Sequence, residues 1–346
     1  MKKWKVLIPA LALSAMLAGC GSPASNEVVP SGEQAPVSEQ VATGEQETST
    51  YKVTVSPTVS SSTSDETGTT VFEDVTFEKM PERIVVLDYG FLDTLDALGV
   101  EGVVGLPKGS TGMPENLAEK YGDEKYVDIG TLKSIDMEQV AALEPDAIFI
   151  SGRQTAFYEE LKKITPNVLF IGNQVADYWN SFMTSIDIAG EIFDKQDEAE
   201  QLKADLEAKK AEVNEKAAGY DNALVAMYND KKISGFDAGS DSRFGYVYNY
   251  YGFNSAVGED ISVSNHGSDF SYESILSVDP EVLFIVDRTN SDVEVIKADI
   301  ENDIIKQTQA YKNGKIVYLD GANWYFGSNG YSIEMAKMQE ILDELK

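Results

Sequence analysis

At 346 residues with a formal charge of −30, the chain has room for two domains of ordinary size and repels nucleic acid and anionic membrane surfaces. One cysteine and one histidine exclude an intramolecular disulfide, a Cys/His zinc cluster and any chemistry needing two histidines. A 42% hydrophobic content fills sizeable cores, and a 25% charged fraction is ordinary for a soluble body.

The N-terminus reads as an address. Lys2, Lys3 and Lys5 precede an apolar run from Val6 to Leu17, which ends at Ala18 and Gly19 before the lone Cys20. This is the layout of a signal peptide over residues 1–19, and the run is shorter than the ~20 residues of a stable membrane span. Leu17-Ala18-Gly19-Cys20 resembles the bacterial lipoprotein processing box, which makes Cys20 the lipidation site. Two or more acyl chains, at about 0.8 kcal/mol per buried CH₂, hold a protein on a membrane for long periods. The expected location is therefore extracytoplasmic, on the outer face of the cytoplasmic membrane. Residues 20–70, beginning with the lipidated cysteine, are rich in Ser, Thr, Gly, Glu and Pro and read as a disordered tether. Some 50 flexible residues reach roughly 40 Å, a length that points to a Gram-positive surface.

Beyond the tether the pattern is α/β. Residues 71–177 contain strand patterns at Arg83–Asp88, Val103–Leu106 and Val168–Ile171, with helical stretches at Leu92–Leu98 and Tyr158–Ile164. Residues 178–218 hold no proline and only one glycine, Gly190, among Ala, Glu, Lys and Leu, and read as one long helix. Residues 219–346 resume the alternation with strands at Ala223–Tyr228 and Lys315–Leu319. The expected fold is two Rossmann-like lobes with largely parallel sheets, joined by a single long α-helix, with a ligand cleft between them.

One segment occurs twice. Asp136–Arg153 aligns without gaps on Ser271–Arg288, matching Glu138 with Glu273, Pro145 with Pro280, Phe149-Ile150 with Phe284-Ile285 and Arg153 with Arg288. Each copy reads as a short helix, a proline-marked turn and a buried strand ending at an arginine. Arginine is otherwise scarce, occurring only at Arg83, Arg153, Arg243 and Arg288. Arg153 and Arg288 fall just past the carboxyl ends of equivalent strands, where open α/β sheets place ligand-binding groups, and Arg243 follows a turn-rich loop. Three fixed charges at loop ends of an acidic protein suggest a site for an anionic, oxygen-rich ligand, against the plainer reading that each pairs with a nearby carboxylate.

The processing box, Ser-Gly-Arg-Gln at 151–154, Ser-Arg-Phe-Gly at 242–245, Asn-His-Gly at 265–267, Val-Asp-Arg at 286–288 and Trp-Tyr at 324–325 together resemble the catechol-siderophore, petrobactin-like group of substrate-binding lipoproteins. These serve iron ABC importers and belong to the helical-backbone class of binding proteins. The resemblance runs from about Phe72 to the C-terminus. It implies a cationic triad of Arg153, Arg243 and Arg288 facing catecholate oxygens. It also implies that His266 and Tyr325 complete the coordination of siderophore-bound Fe(III) when the chelator offers only four donors. Ferric ion is a hard acid that suits phenolate and accepts neutral imidazole. Lys133, in the loop before the first repeat helix, and Tyr89, a cleft aromatic, are further candidates for the ligand-binding set. Glu138 and Glu273 are implied to dock on the permease. On this reading the protein is a monomeric receptor with no intrinsic cofactor and no enzymatic step. The competing readings are a lipid-anchored hydrolase using paired carboxylates and a haem or cobalamin binder on the same scaffold. No nucleophile elbow or metal-protease helix supports the hydrolase, and three arginines argue against a neutral cargo.

Overall fold

The structure is a computed structural model that describes residues 51–64, 68–109, 112–258, 267–289 and 291–345. The signal segment, Cys20 and His266 lie outside the described residues. The chain enters through β1 (Val53–Val55), β2 (Ser61–Ser64), β3 (Gly68–Val71) and β4 (Val75–Phe77), where β1 pairs with β4 and β2 with β3, both antiparallel.

The first lobe continues β5 (Ile84–Val86), α1 (Tyr89–Ala97), β6 (Val103–Leu106), α2 (Glu115–Tyr121), β7 (Val127–Asp128), α3 (Met137–Ala142), β8 (Ala147–Ile150), α4 (Tyr158–Leu161) and β9 (Val168–Phe170). Its sheet is wholly parallel in the order β7-β6-β5-β8-β9. Two helices follow, α5 (Tyr178–Phe193) and α6 (Gln196–Ala217). The second lobe comprises β10 (Ala223–Asn229), β11 (Lys232–Phe236), α7 (Gly245–Asn249), β12 (Ser268–Asp269), α8 (Tyr272–Val278), β13 (Val282–Asp287), α9 (Val293–Ile300), α10 (Gln309–Lys312), β14 (Ile316–Leu319) and α11 (Tyr331–Glu344). Its order is β12-β11-β10-β13-β14, with the β10–β13 and β13–β14 pairings parallel and the β10–β11 and β11–β12 pairings antiparallel. Strands β5, β8 and β13 are buried at every position, which is why they read as unbroken apolar runs rather than alternating ones.

The sequence repeat is a structural repeat. β8 and β13 each occupy the fourth place in their sheet, flanked by the first strand of the lobe on one side and the last on the other. Asp136 and Ser271 cap α3 and α8 by accepting backbone N–H bonds in the first turn. Glu144 and Asp279, at matching positions before Pro145 and Pro280, both turn left-handed, with φ of 45° and 43°. Proline excludes the helical conformation from the residue ahead of it, so both helices stop by this point.

Two expectations are corrected. The stretch 178–218 is not one helix: Asp194 adopts the left-handed conformation (φ 54°, ψ 47°) and ends α5, and α6 folds back beside it. Gly190 makes the close packing possible, since a Cβ there would lie 2.8 Å from that of Ala199. The hairpin is tied by Lys203 to Asp187 and by the Trp179 indole to the Glu207 carboxylate. An aspartate that tolerates a left-handed turn offers little warning in a sequence otherwise made of helix formers. The ordered body also begins earlier than residue 71. β1 and β2 lie in the segment read as tether, because paired threonines such as Thr54–Thr76 (2.8 Å) and Thr63–Thr69 (3.0 Å) build strands from a composition that resembles linker. The Tyr51 hydroxyl anchors the entry by donating to the Ile192 carbonyl at 2.5 Å.

Helix α11 is gripped by the first lobe. Asp93 of α1 accepts the N–H groups of Ser332 (2.6 Å) and Ile333 (3.1 Å), capping a helix more than two hundred residues away. Burial raises the Asp93 carboxyl to about 6 despite these donors and that of Asn116.

Candidate functional site

Residues from both lobes and from β2 surround a cavity of about 460 Å³. From the first lobe come the Ser151–Arg153 turn, Phe170, Asn173 and Gln174, and from the second Arg243, Tyr246, Trp324, Tyr325 and Lys337. Tyr178, the first residue of α5, lies between the two groups.

Two of the three candidate arginines, Arg153 and Arg243, line the cavity, and Arg288 lies off its lining against Tyr325. After β8 the chain enters a 3₁₀ turn at Gly152–Phe157, fixed by Gln154, whose amide oxygen accepts the Ser151 N–H (3.0 Å) while its nitrogen donates to the Leu132 carbonyl (2.6 Å). That turn aims Arg153 across the cleft, where Nη2 donates to the Tyr325 carbonyl at 3.3 Å. Arg243 places its guanidinium carbon 4.6 Å from the centre of the Tyr325 ring, and Arg288 places its own 5.0 Å from the same point. Three guanidinium groups thus converge on one tyrosine.

None of the three makes a salt bridge to a carboxylate among the described residues. The acid beside Arg288 is occupied: Asp287 accepts the N–H and hydroxyl of Thr289 and the N–H of Ser291, all within 2.7 Å. Asp88, the acid lining the cavity, caps α1 through the Phe91 N–H. Arg243 registers the crowding. Burial draws its pKa below that of a free guanidinium, and Arg153 and Arg288 push the same way while Tyr325 opposes them. Guanidinium does not give up its proton in a protein, so Arg243 stays charged, with burial the main cost and its two neighbours adding to it. The fourth arginine is structural: Arg83 donates to the Leu143 carbonyl through Nε (2.9 Å) and Nη2 (2.5 Å).

Tyr325 sits in a π-helical turn, Ala322–Phe326, a widened geometry often found at functional positions. Gly321 lets this turn lie directly on the second arginine loop, because a Cβ there would fall 1.6 Å from the Asp287 carbonyl oxygen. Glu340 holds the turn from the other side, accepting the Trp324 indole N–H at 2.6 Å and the Asp320 N–H at 3.0 Å. Burial raises the Glu340 carboxyl to about 7.

The cavity also contains residues that no local sequence pattern marks. Lys337 is buried and pairs with buried Glu334 at 3.0 Å, while also donating to the Ser328 carbonyl (2.6 Å) and the Tyr178 hydroxyl (3.2 Å). The Tyr178 and Tyr251 hydroxyls donate to the two oxygens of Glu334. Tyr178 stacks on Tyr246 with ring centres 4.1 Å apart. Lys337 therefore brings a neutralised charge, unlike the three arginines.

Other candidates fall elsewhere. Tyr89 is 1% exposed, its hydroxyl donates to the Pro107 carbonyl at 2.8 Å, and it does not line the cavity, so the expected cleft aromatic is a core residue at the start of α1. Lys133 is exposed in the loop before α3 and likewise lies off the cavity. Glu138 and Glu273 are exposed at matching first-turn positions of α3 and α8. Among the described residues no group of three or more His, Cys, Asp or Glu could hold a metal ion, and no helix is long and apolar enough to cross a membrane.

The geometry has clear relatives. The petrobactin-binding protein YclQ of Bacillus subtilis strain 168 is 39% identical over 272 residues, covering 78% of this chain and 84% of that protein. Its crystal structure superposes with a TM-score of 0.74 at 36% identity, over 86% of this chain and 99% of that one. The ferric-anguibactin-binding protein FatB of Vibrio anguillarum strain ATCC 68554 / 775 is 35% identical over 277 residues, 77% of this chain and 81% of that protein. BauB, a siderophore-binding protein solved with ferric iron and two acinetobactin molecules, matches with a TM-score of 0.71 at 28% identity, over 86% and 99% of the two chains. The periplasmic binding protein profile covers residues 84–322, and this chain belongs to that family.

Proposed function

We propose that this protein is an extracytoplasmic receptor that captures a ferric catecholate siderophore and delivers it, unaltered, to an ABC importer for iron uptake. The observation that carries the reading is the meeting of three guanidinium groups from separate loops around Tyr325 with no carboxylate to neutralise them among the described residues. Ferric catecholates carry net negative charge over several oxygens, and guanidinium matches such oxygens with paired donors at any working pH. An anionic ligand placed among the three guanidinium groups would offset their mutual repulsion. Relatives named for ferric siderophores support the same class of cargo.

In this reading Tyr325 and His266, the latter outside the described residues, complete the iron coordination of a tetradentate chelator. Glu138 and Glu273 dock on the permease, and a lipid at Cys20 tethers the receptor to the outer face of the cytoplasmic membrane. Titration with ferric bis- and tris-catecholates, followed by intrinsic tryptophan fluorescence and with ferric citrate and a ferric hydroxamate as controls, tests the proposal. Saturable quenching by the catecholates with recovery of intact ligand supports it. Preference for a control, or conversion of the ligand, refutes it. Loss of tetradentate but not hexadentate binding in His266→Ala or Tyr325→Phe would establish direct ligation.

A further inference from the structure

The β2–β3 hairpin forms part of the cavity, and its construction is unlike the rest. Val59, Ser61, Ser62 and Thr63 line the same cavity as Arg153 and Arg243, and β2 packs on the 3₁₀ turn that carries Arg153. Its base is pinned on both sides. Thr58 donates its N–H to the Phe170 carbonyl (3.0 Å) and its hydroxyl to that of Gly172 (2.5 Å). On the return strand Phe72 stacks on Phe170 with ring centres 4.3 Å apart and meets Tyr158 edge-on at 5.0 Å. The Phe72 N–H to Ser60 carbonyl bond (2.9 Å) closes the pair where it leaves the body. Register then sorts the faces. Ser62 and Thr70 are partners and half-buried, whereas Ser61, Thr63, Thr69 and Val71 are exposed. The residues of β2 and β3 carry no charge, and Asp65 and Glu66 between them lie outside the described residues.

Taking the receptor reading as its basis, we infer that strand β2 of this hairpin is an uncharged, size-selecting wall of the ligand site, with Ser62 as its central contact. The arginines supply attraction that is indifferent to the shape of the chelator's organic frame. The hairpin sets how much room that frame has. A cavity of about 460 Å³ lies in the lower half of the roughly 300–1,000 Å³ typical of small-molecule sites. Removing a wall anchored at Ser60 and Phe72 opens it and leaves all three arginines in the sequence. Hydroxyl groups at this face suit the amide and ether oxygens of a compact linker, and the wall also keeps water from the charged contacts.

The test replaces residues 61–71 by Gly-Asp-Glu-Gly, which retains the net charge, and compares dissociation constants for an Fe(III) bis-catechol amide and an Fe(III) tris-catechol amide. The excision is expected to weaken the compact bis complex at least tenfold and the bulkier tris complex less than threefold, by the same factors at low and high salt. Unchanged affinities, equal losses or the reverse order overturn the inference. Should the excised protein fail to fold, Ser62→Trp decides the matter. Filling the wall is expected to weaken the tris complex at least tenfold and the bis complex less, and a tryptophan that alters neither overturns the inference. Failure of the wild type to bind either complex would instead refute the receptor reading.

Discussion

The two copies of the repeated unit fold alike and finish differently. Both run from a capped helix through a left-handed residue and a proline into a buried strand, and both release an arginine at the strand's end. In the second copy Arg288 lies over a tyrosine of its own lobe, held by a loop that Asp287 organises and Gly321 packs against. In the first copy Arg153 reaches the backbone of that same tyrosine from the opposite lobe. One unit used twice thus brings equal charge to one point from two sides, and only the first copy's contact depends on how the lobes meet. Charge alone is not what distinguishes the place, because Lys337 lines the same cavity fully paired with Glu334.

Neutralising the arginines that end both copies has the largest effect. Arg153→Gln with Arg288→Gln is expected to weaken ferric catecholate binding by about 10²–10⁴-fold, since each charge-assisted contact contributes roughly 1.5–3 kcal/mol. Calorimetric titration of the single and double variants checks this, and the single variants should lose about 10–100-fold each. A smaller effect follows from displacing only the second copy. Gly321→Ala forces a methyl group onto the Asp287 carbonyl and is expected to cost about 1–3 kcal/mol of stability in denaturant melts. It should lower affinity through Arg288 while leaving an additional Arg153 substitution as costly as in the wild type.

The first lobe's grip on α11 has a pH signature. Because burial raises the folded-state pKa of Asp93 from 3.8 to about 6, the native protein holds this proton more tightly than the unfolded chain. The stabilisation is therefore fully present below about pH 4 and is lost as pH rises through about 6. Relative to Asp93→Asn, the wild type should lose roughly 2–4 kcal/mol across that window and show no further change above about pH 7. Paired urea melts from pH 4 to pH 8 measure it. The least effect on affinity is expected at Glu138 and Glu273, exposed at equivalent positions of the two copies. Reversing both charges should leave binding within twofold of wild type while abolishing siderophore-dependent uptake in cells.

Much of this arrangement is legible in the sequence, for a physical reason. Buried parallel strands must be apolar throughout, so β8 and β13 stand out, and the proline and arginine at fixed distances expose the repeat. Arginine's scarcity singles out the groups that meet at Tyr325. What escapes is whatever depends on distant partners. Tyr178, Glu334 and Lys337 form one buried network only because the first residue of α5 meets α11, and nothing local marks them. Tyr89 misleads in the opposite sense, since a tyrosine beside a strand end can turn its hydroxyl into the core. The β2–β3 hairpin hides in a linker-like composition because its strands rely on threonine pairs and anchors more than eighty residues downstream.

If unneutralised guanidinium groups gathered from both lobes bind an anionic iron complex, their loss must show in the affinity of an Fe(III) bis-catechol amide for Arg153→Gln/Arg243→Gln/Arg288→Gln beside the wild type, by calorimetry at low and high ionic strength. The triple variant is expected to lose at least a thousandfold at low salt, and the wild-type affinity to fall with salt far more steeply than the variant's. A triple variant that binds like the wild type, with the same salt dependence, would contradict it.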